Sequence, residues 1–213
     1  HEVTEEFKKR YHYFLNKNRV VECLNIGHPP IKQLERKKAK DEINNIAVYG
    51  NFLFFESEYG LNTLIDELKK SKKTEAMHTN LFIFGKNSLE IFGEYDGLSF
   101  GGVKFFVLGM VDSVESVLQT CDSVMIPVDV TGGLKIKLLE SLSYGLSVVT
   151  TNNVAKHLKN YESLNQIKTF DSIEDIAKNL ESIDIKDNNN QEIEKNLPQW
   201  YDHYTLIQEL FSN

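Results

Sequence analysis

The chain of 213 residues carries 24 Lys and Arg against 31 Asp and Glu, which gives a formal net charge of −7. Hydrophobic residues make up 41% and charged residues 26%, the balance of a soluble globular protein with a sizeable core. The acidic balance disfavours nucleic acid as the main partner, and no apolar stretch approaches the roughly 20 residues of a membrane-spanning helix.

Both ends of the chain have helical patterns that set them apart from the centre. Apolar residues at Phe7, Tyr11 and Phe14 follow the spacing of an amphipathic helix. We interpret residues 1–19 as an interdomain helix or an expression remnant. We expect the main domain to span residues 20–185, followed by a linker and C-terminal helix at residues 186–213.

The centre of the chain alternates short apolar runs with helical patterns. The runs are Ile46–Tyr49, Leu81–Phe84, Val103–Leu108, Ser123–Ile126, Leu146–Thr150 and Ile167–Phe170. Apolar residues at helical spacing stand between several of them, as in residues 61–68 and 114–118. Such runs indicate a parallel sheet covered on both faces, so the sequence predicts a doubly wound α/β domain.

Two helix starts are marked by capping boxes, in which a polar residue is followed three positions later by glutamate. The pairs are Asp112 with Glu115 and Asp171 with Glu174. We therefore predict helices that begin with Asp112 and Asp171 as N-caps.

Ligands of open α/β sheets bind beyond the carboxyl ends of the strands, and the segment after Ile126 is the most informative of these. Candidate binding residues there are Thr131, Gly132, Gly133, Leu134, Lys137 and Glu140. The glycine pair lets backbone amides approach an anion at a helix start. Lys137 and Glu140 follow Gly133 at i+4 and i+7, on one helix face. This order fits a nucleoside diphosphate, although a plain loop and a solvated ion pair explain the same residues.

Two further strand ends are candidates for contacts with the same ligand. Gly50 and Asn51 follow the first apolar run and can face a phosphate, but taken alone these two residues favour a simple strand-ending turn. Met110 and Val111 follow the run that ends near Gly109, where their backbone can contact the edge of a nucleotide base.

Other catalytic and cofactor signatures are missing from the sequence. There is no Walker motif, no GxGxxG fingerprint, no GxSxG elbow, no HExxH motif and no DxD metal pair. The histidines show no ligand spacing, and Cys23 and Cys121 form no CxxC pair. We therefore expect neither a metal nor a cofactor.

Three segments carry a resemblance to a known family. They are Phe105–Asp112, Cys121–Pro127 and Gly132–Thr151. Together they resemble the carboxy-terminal half of GT-B glycosyltransferases, in particular the retaining bacterial group 1 enzymes of family four. The resemblance implies a Rossmann-like domain that binds a UDP- or GDP-linked sugar, in a hexosyltransferase of polysaccharide biosynthesis that acts without a metal on a glycan or lipid-linked acceptor.

The resemblance also assigns roles to individual residues. Lys137 looks like the basic residue that contacts the diphosphate, and Glu140 looks like the second glutamate of the family's E-x7-E pattern, which holds the ribose hydroxyls. These two are the expected catalytic residues, and Gly50 and Asn51 match the glycine loop that faces the phosphates. The sequence departs from the pattern at Gly132, where the first glutamate would stand, and at residues 58–60, where the usual Lys-Gly is absent.

A GT-B enzyme has two domains, so the resemblance implies an amino-terminal partner domain that supplies the acceptor site. We accordingly expect the isolated domain to be inactive and to form a weak homo-oligomer. The full-length enzyme is expected to be cytoplasmic and peripheral at the inner membrane face. Two alternatives remain open here: a non-catalytic flavodoxin-like binding module and a fragment of a GT-B sugar-nucleotide epimerase.

Overall fold

The computed structural model describes residues 34, 43–71, 78–129, 136–158, 161–180 and 183. The helices predicted near both ends of the chain lie outside the described residues. So do nearly all of the residues that decide the predicted domain limits, namely 1–19, 20–42 and 186–213. The predicted limits therefore stay predictions.

All six apolar runs form strands, and each strand begins or ends within three residues of the run that predicted it. The strands are β1 (Asn44–Asn51), β2 (Thr79–Lys86), β3 (Ser99–Phe100), β4 (Val103–Gly109), β5 (Ser123–Ile126), β6 (Ser147–Thr151) and β7 (Ile167–Phe170). Among the strands in the described residues, only β3 was not predicted, because two residues are too few for a periodic pattern. The helices are α1 (Phe55–Lys70), α2 (Ser88–Phe92), α3 (Val114–Leu118), α4 (Ile136–Ser143), α5 (Asn152–Ala155) and α6 (Ile173–Asn179).

The strands form one sheet in the order β3-β4-β2-β1-β5-β6-β7. Every described neighbour pair is parallel except the β3–β4 hairpin. The chain moves outward from β1 to β4, returns to place β5 beside β1, and then moves outward on the other side. Without β3 this is the Rossmann order, so the doubly wound prediction is confirmed. A flavodoxin-like order has one strand fewer on the first side, which argues against that alternative.

Both faces of the central strands β1, β5 and β6 are buried, as their near-continuous apolar runs predicted. In β1, Ile46 and Val48 point to one core cluster, while Ala47 and Tyr49 point to the other. Helices α1, α2 and α6 contribute buried side chains to the first cluster, and α3, α4 and α5 contribute to the second. Alternate residues of one strand therefore serve two cores, which is why polar alternation is absent from the sequence.

The two predicted N-caps are wrong by one residue. Ser113 Oγ accepts a hydrogen bond from the Ser116 N–H (3.2 Å), and Ser172 Oγ accepts one from the Asp175 N–H (3.1 Å). In both segments a serine follows the aspartate, and serine is as good an N-cap as aspartate. Asp171 instead accepts a hydrogen bond from the Asn152 amide (2.7 Å).

Two glycines meet where β1 and β2 end, and this contact allows a stability prediction. Gly85 pairs with Gly50, has φ +114°, and would overlap the Gly50 carbonyl oxygen if it carried a Cβ. We expect Gly85→Ala to lower the free energy of unfolding by roughly 2–4 kcal/mol, since backbone strain and steric overlap each contribute.

The matched control is Gly97→Ala, because Gly97 also has a positive φ (+75°) but has open space where a Cβ would stand. It should lose only about 1–2 kcal/mol, the cost of the left-handed backbone. Urea denaturation of both variants measures the difference. Equal losses would show that the glycine contact does not constrain the strand ends.

Candidate functional site

The strand order reverses between β1 and β5, and the ends of these strands form the crevice in which open α/β sheets bind ligands. Strand β1 ends with Gly50 and Asn51, and β5 is followed by Pro127 and then, after residues 130–135, by helix α4. Four predicted binding residues lie outside the described residues: Thr131, Gly132, Gly133 and Leu134. The binding of an anion by their backbone amides therefore stays a prediction.

The neighbouring strand fixes the path of the chain as it leaves β5. Thr150 Oγ1 donates a hydrogen bond to the Ile126 carbonyl (2.9 Å), and Thr151 Oγ1 donates one to the Val128 carbonyl (2.7 Å). Both hydroxyls are buried. The two threonines at the end of β6 therefore direct the segment that leads into α4.

Helix α4 has one apolar side and one polar side. Leu138, Leu139 and Leu142 are fully buried in the core. Lys137 and Glu140 are half-buried and lie about one turn apart. The packing of the leucines thus sets the direction in which the ammonium and the carboxylate project.

Lys137 lies directly against the end of β1. A Cβ built on Gly50 would overlap the Nζ atom of Lys137 and lie 2.7 Å from its Cε atom. Gly50 also has φ +144°, a conformation that side chains disfavour. The absence of a side chain at this strand end therefore makes room for the lysine, and the structure brings together two residues that the sequence assigned to one site.

Glu140 is tied to the same strand by a residue that sequence reasoning missed. The Tyr49 hydroxyl donates a hydrogen bond to Glu140 Oε2 (2.9 Å), and the Tyr49 ring centroid lies 5.5 Å from Lys137 Nζ. Burial, reinforced by the Glu140 charge, raises the pKa of Tyr49 well above its ordinary value, so the hydroxyl remains a donor. A signal existed, because a buried tyrosine in an apolar run needs a partner for its hydroxyl.

Asn51 was predicted to lie in a loop after the strand, but Gly50 and Asn51 are the last two residues of β1 itself. The Asn51 side-chain oxygen accepts a hydrogen bond from the Leu53 N–H (3.1 Å). The strand-ending turn therefore accounts for this oxygen. A contact from the Asn51 amide nitrogen to a phosphate stays a prediction.

Met110 and Val111 follow β4, which lies two strand positions from β1. Two strand spacings are about 10 Å, so these residues can contact only a ligand that extends along the sheet edge. The Met110 side chain is 73% exposed, and Val111 packs against the same core cluster as Tyr49. Their predicted contact with a base remains untested.

Two observations apply to the described part of the chain alone. Within it, no group of three or more His, Cys, Asp or Glu side chains is placed to hold a metal ion. None of its helices has both the length and the apolar character needed to span a bilayer.

The family described as "Glycosyl transferases group 1" matches residues 43–183 of the sequence. The chain belongs to this family. The resemblance inferred from the residues is thereby confirmed. No curated protein shows a significant match to the sequence of this glycosyltransferase domain.

Three solved structures show which fold the domain shares. WaaG, a glycosyltransferase involved in lipopolysaccharide biosynthesis, has 20% identity and a TM-score of 0.53 over 84% of this chain and 50% of its own. HepE of Anabaena in complex with UDP has 16% identity and a TM-score of 0.53 over 81% and 50%.

The third is the apo form of WaaB, a lipopolysaccharide outer core galactosyltransferase, with 16% identity and a TM-score of 0.50 over 71% and 43%. At these identities the likeness concerns the fold alone. The glycosyltransferase domain matches one half of the GT-B fold and spans about half the length of these proteins or less.

Proposed function

We propose that this domain binds a UDP- or GDP-linked sugar at the ends of β1 and β5, as the donor half of a retaining, metal-independent hexosyltransferase. The observation that supports this most strongly is the contact between Lys137 and Gly50, with Glu140 bonded to the neighbouring Tyr49. A cation and a carboxylate then meet at the crevice where nucleotides bind in such sheets. The structures of HepE in complex with UDP and with UDP-glucose support this class of ligand.

The proposed chemistry is departure of a nucleoside diphosphate from the anomeric carbon, through an oxocarbenium-like transition state. Negative charge then develops on the diphosphate, and Lys137 is placed to stabilise it with a charge-assisted hydrogen bond. We assign the backbone amides of residues 132–134 the same task at the start of α4. The lysine and the helix start take the place of a divalent cation in this scheme.

Glu140 is proposed to accept hydrogen bonds from the ribose hydroxyls, as the second glutamate of its family's pattern does. It lies about one helical turn beyond Lys137, in the order phosphate then ribose along α4. The base would then extend toward Met110 and Val111, and Asn51 would donate to a phosphate.

A second domain is proposed to close the other side of the cleft and to bind a glycan or lipid-linked acceptor. Several large apolar side chains at the carboxyl edge of the sheet are exposed, among them Leu53 (61%), Phe54 (65%) and Phe55 (75%). A covering domain would remove this apolar surface from water. Uncovered, the same surface should cause weak homo-oligomer formation. We expect the full-length enzyme to act in the cytoplasm, peripherally at the inner membrane face.

The ribose assignment is tested by Glu140→Gln. Calorimetry should show that this variant loses affinity for UDP or GDP by about 1–3 kcal/mol, because a carboxylate acceptor is replaced by a neutral amide. The affinity for the 2′,3′-dideoxy forms, which lack the ribose hydroxyls, should change little.

Glu67→Gln is the matched control, since Glu67 lies on α1 and pairs with Lys70 at the surface. Its affinity for both nucleotides should equal that of the unsubstituted chain. An equal loss of ribonucleotide and dideoxynucleotide affinity in Glu140→Gln would contradict the ribose assignment.

A further inference from the structure

Tyr49 touches both polar residues of the proposed site, and this places it where it can control their geometry. Its hydroxyl donates to Glu140 Oε2 (2.9 Å), and its ring lies 5.5 Å from the Lys137 ammonium. We propose that Tyr49 is a positioning residue, whose hydroxyl orients the Glu140 carboxylate toward the ribose of the nucleotide. This inference rests on the proposed function.

A glutamate side chain on a helix surface samples several rotamers. A ligand that binds only one of these rotamers is bound less tightly, because fixing the side chain costs conformational entropy. A hydrogen bond to one carboxylate oxygen fixes the plane of the group and directs its remaining acceptor positions. Because Tyr49 is the donor, Glu140 is held as an acceptor. Ribose hydroxyls are donors, so the arrangement prepares Glu140 for them before the nucleotide arrives.

The support for Tyr49 is rigid. Its ring stacks on Phe84 with centroids 5.3 Å apart and planes 9° apart, and the two residues are also paired in the β1–β2 register. The Tyr49 side chain is only 7% exposed. A group fixed by both packing and sheet pairing can transmit its position to a neighbour with little loss.

The same ring also helps to place the lysine. An ammonium within about 6 Å of an aromatic centroid is attracted to the ring face. Lys137 therefore lies close to both the bare backbone of Gly50 and the Tyr49 ring. Phenylalanine would keep this ring contact and the stacking on Phe84, and would remove the hydroxyl that donates to Glu140.

Tyr49→Phe consequently isolates the positioning role. Calorimetry with UDP, GDP and their 2′,3′-dideoxy forms should show the preference for the ribose form reduced by roughly three- to tenfold, the usual range for one hydrogen bond. The affinity for the dideoxy forms should be nearly unchanged. The double variant Tyr49→Phe/Glu140→Gln should behave like Glu140→Gln alone, since Tyr49 acts through Glu140.

Tyr144→Phe is the matched control. Tyr144 follows directly after α4, and its hydroxyl donates a hydrogen bond to Glu115 instead of Glu140 (3.3 Å). Removing that hydroxyl should leave the ribose preference unchanged. Thermal melts of each variant separate a loss of stability from a loss of selectivity. A purely structural Tyr49 would lower the melting temperature and leave the ribose preference intact.

The outcomes separate the two hypotheses. If Glu140→Gln keeps the full ribose preference, the proposed role of Glu140 is wrong, whatever Tyr49→Phe does. If Glu140→Gln loses the preference while Tyr49→Phe keeps it, the proposed function stands and the positioning role is overturned. Additive losses in the double variant would overturn it as well.

Discussion

Replacing Lys137 with alanine is expected to weaken the binding of UDP or GDP by about 1.5–3 kcal/mol, which corresponds to roughly 10- to 150-fold in the dissociation constant. The reason is the loss of a charge-assisted contact at the only place where we assign a side-chain cation to the diphosphate. The affinity for the nucleoside alone should change little, because it carries no phosphate. Calorimetry in the presence of EDTA measures both, and binding by the unsubstituted chain should persist there.

Lys178→Ala provides the control for this measurement. Lys178 is a 64% exposed lysine on α6 that pairs with Asp175. Replacing it changes the net charge by the same amount as Lys137→Ala, but it removes only a surface ion pair that contributes little free energy. If the two lysine variants lose diphosphate affinity to the same extent, a general charge effect explains the result and the local role of Lys137 is wrong. Loss of nucleoside affinity in Lys137→Ala would also contradict it.

The second large effect concerns sugar transfer itself. The 213-residue chain is expected to bind the donor and to transfer no sugar, since it spans about half the length of the solved relatives or less. Holding both reactants in the correct orientation lowers the activation barrier by roughly 7–11 kcal/mol. The acceptor site is proposed to belong to a second domain, so the chain alone would orient only the donor. An assay with radiolabelled sugar nucleotides and a membrane extract as the acceptor source measures transfer.

The control for this assay is the rate of donor hydrolysis without extract, which defines the background. Radiolabel found in acceptor well above that rate would mean that these residues form a complete enzyme. Conversion of the donor into another nucleotide sugar would favour the epimerase alternative. Both products can be separated from the donor by chromatography, so one experiment distinguishes the outcomes.

Much of the fold was predictable because the central strands β1, β5 and β6 bury side chains in both cores. Runs such as Ile46–Tyr49 are apolar without alternation only when both faces of a sheet are covered, and this feature is visible in a sequence. The two-residue strand β3 left no comparable pattern. The caps were misplaced by one residue because Asp112 and Ser113 are both good N-caps, and the choice depends on backbone geometry that the sequence does not contain.

The site was predictable to the extent that topology determined it. Gly50 lies at the end of β1, and Lys137 lies in the helix that follows the neighbouring strand β5. Their proximity at one edge of the sheet was therefore expected from the alternation of strands and helices. The role of Tyr49 was not, because an apolar run does not reveal which of its two faces meets α4. The hydrogen bond to Glu140 depends on that choice of face and on the rotation of the helix.

We propose that a nucleoside diphosphate binds where β1 and β5 end. A crystal structure of the chain with UDP or GDP would show whether it does. We expect the diphosphate within hydrogen-bonding distance of Lys137 Nζ beside Gly50, and the ribose hydroxyls on the Glu140 carboxylate. A nucleotide bound at the opposite edge of the sheet, or one that leaves Lys137 and Glu140 without contact, would contradict the claim.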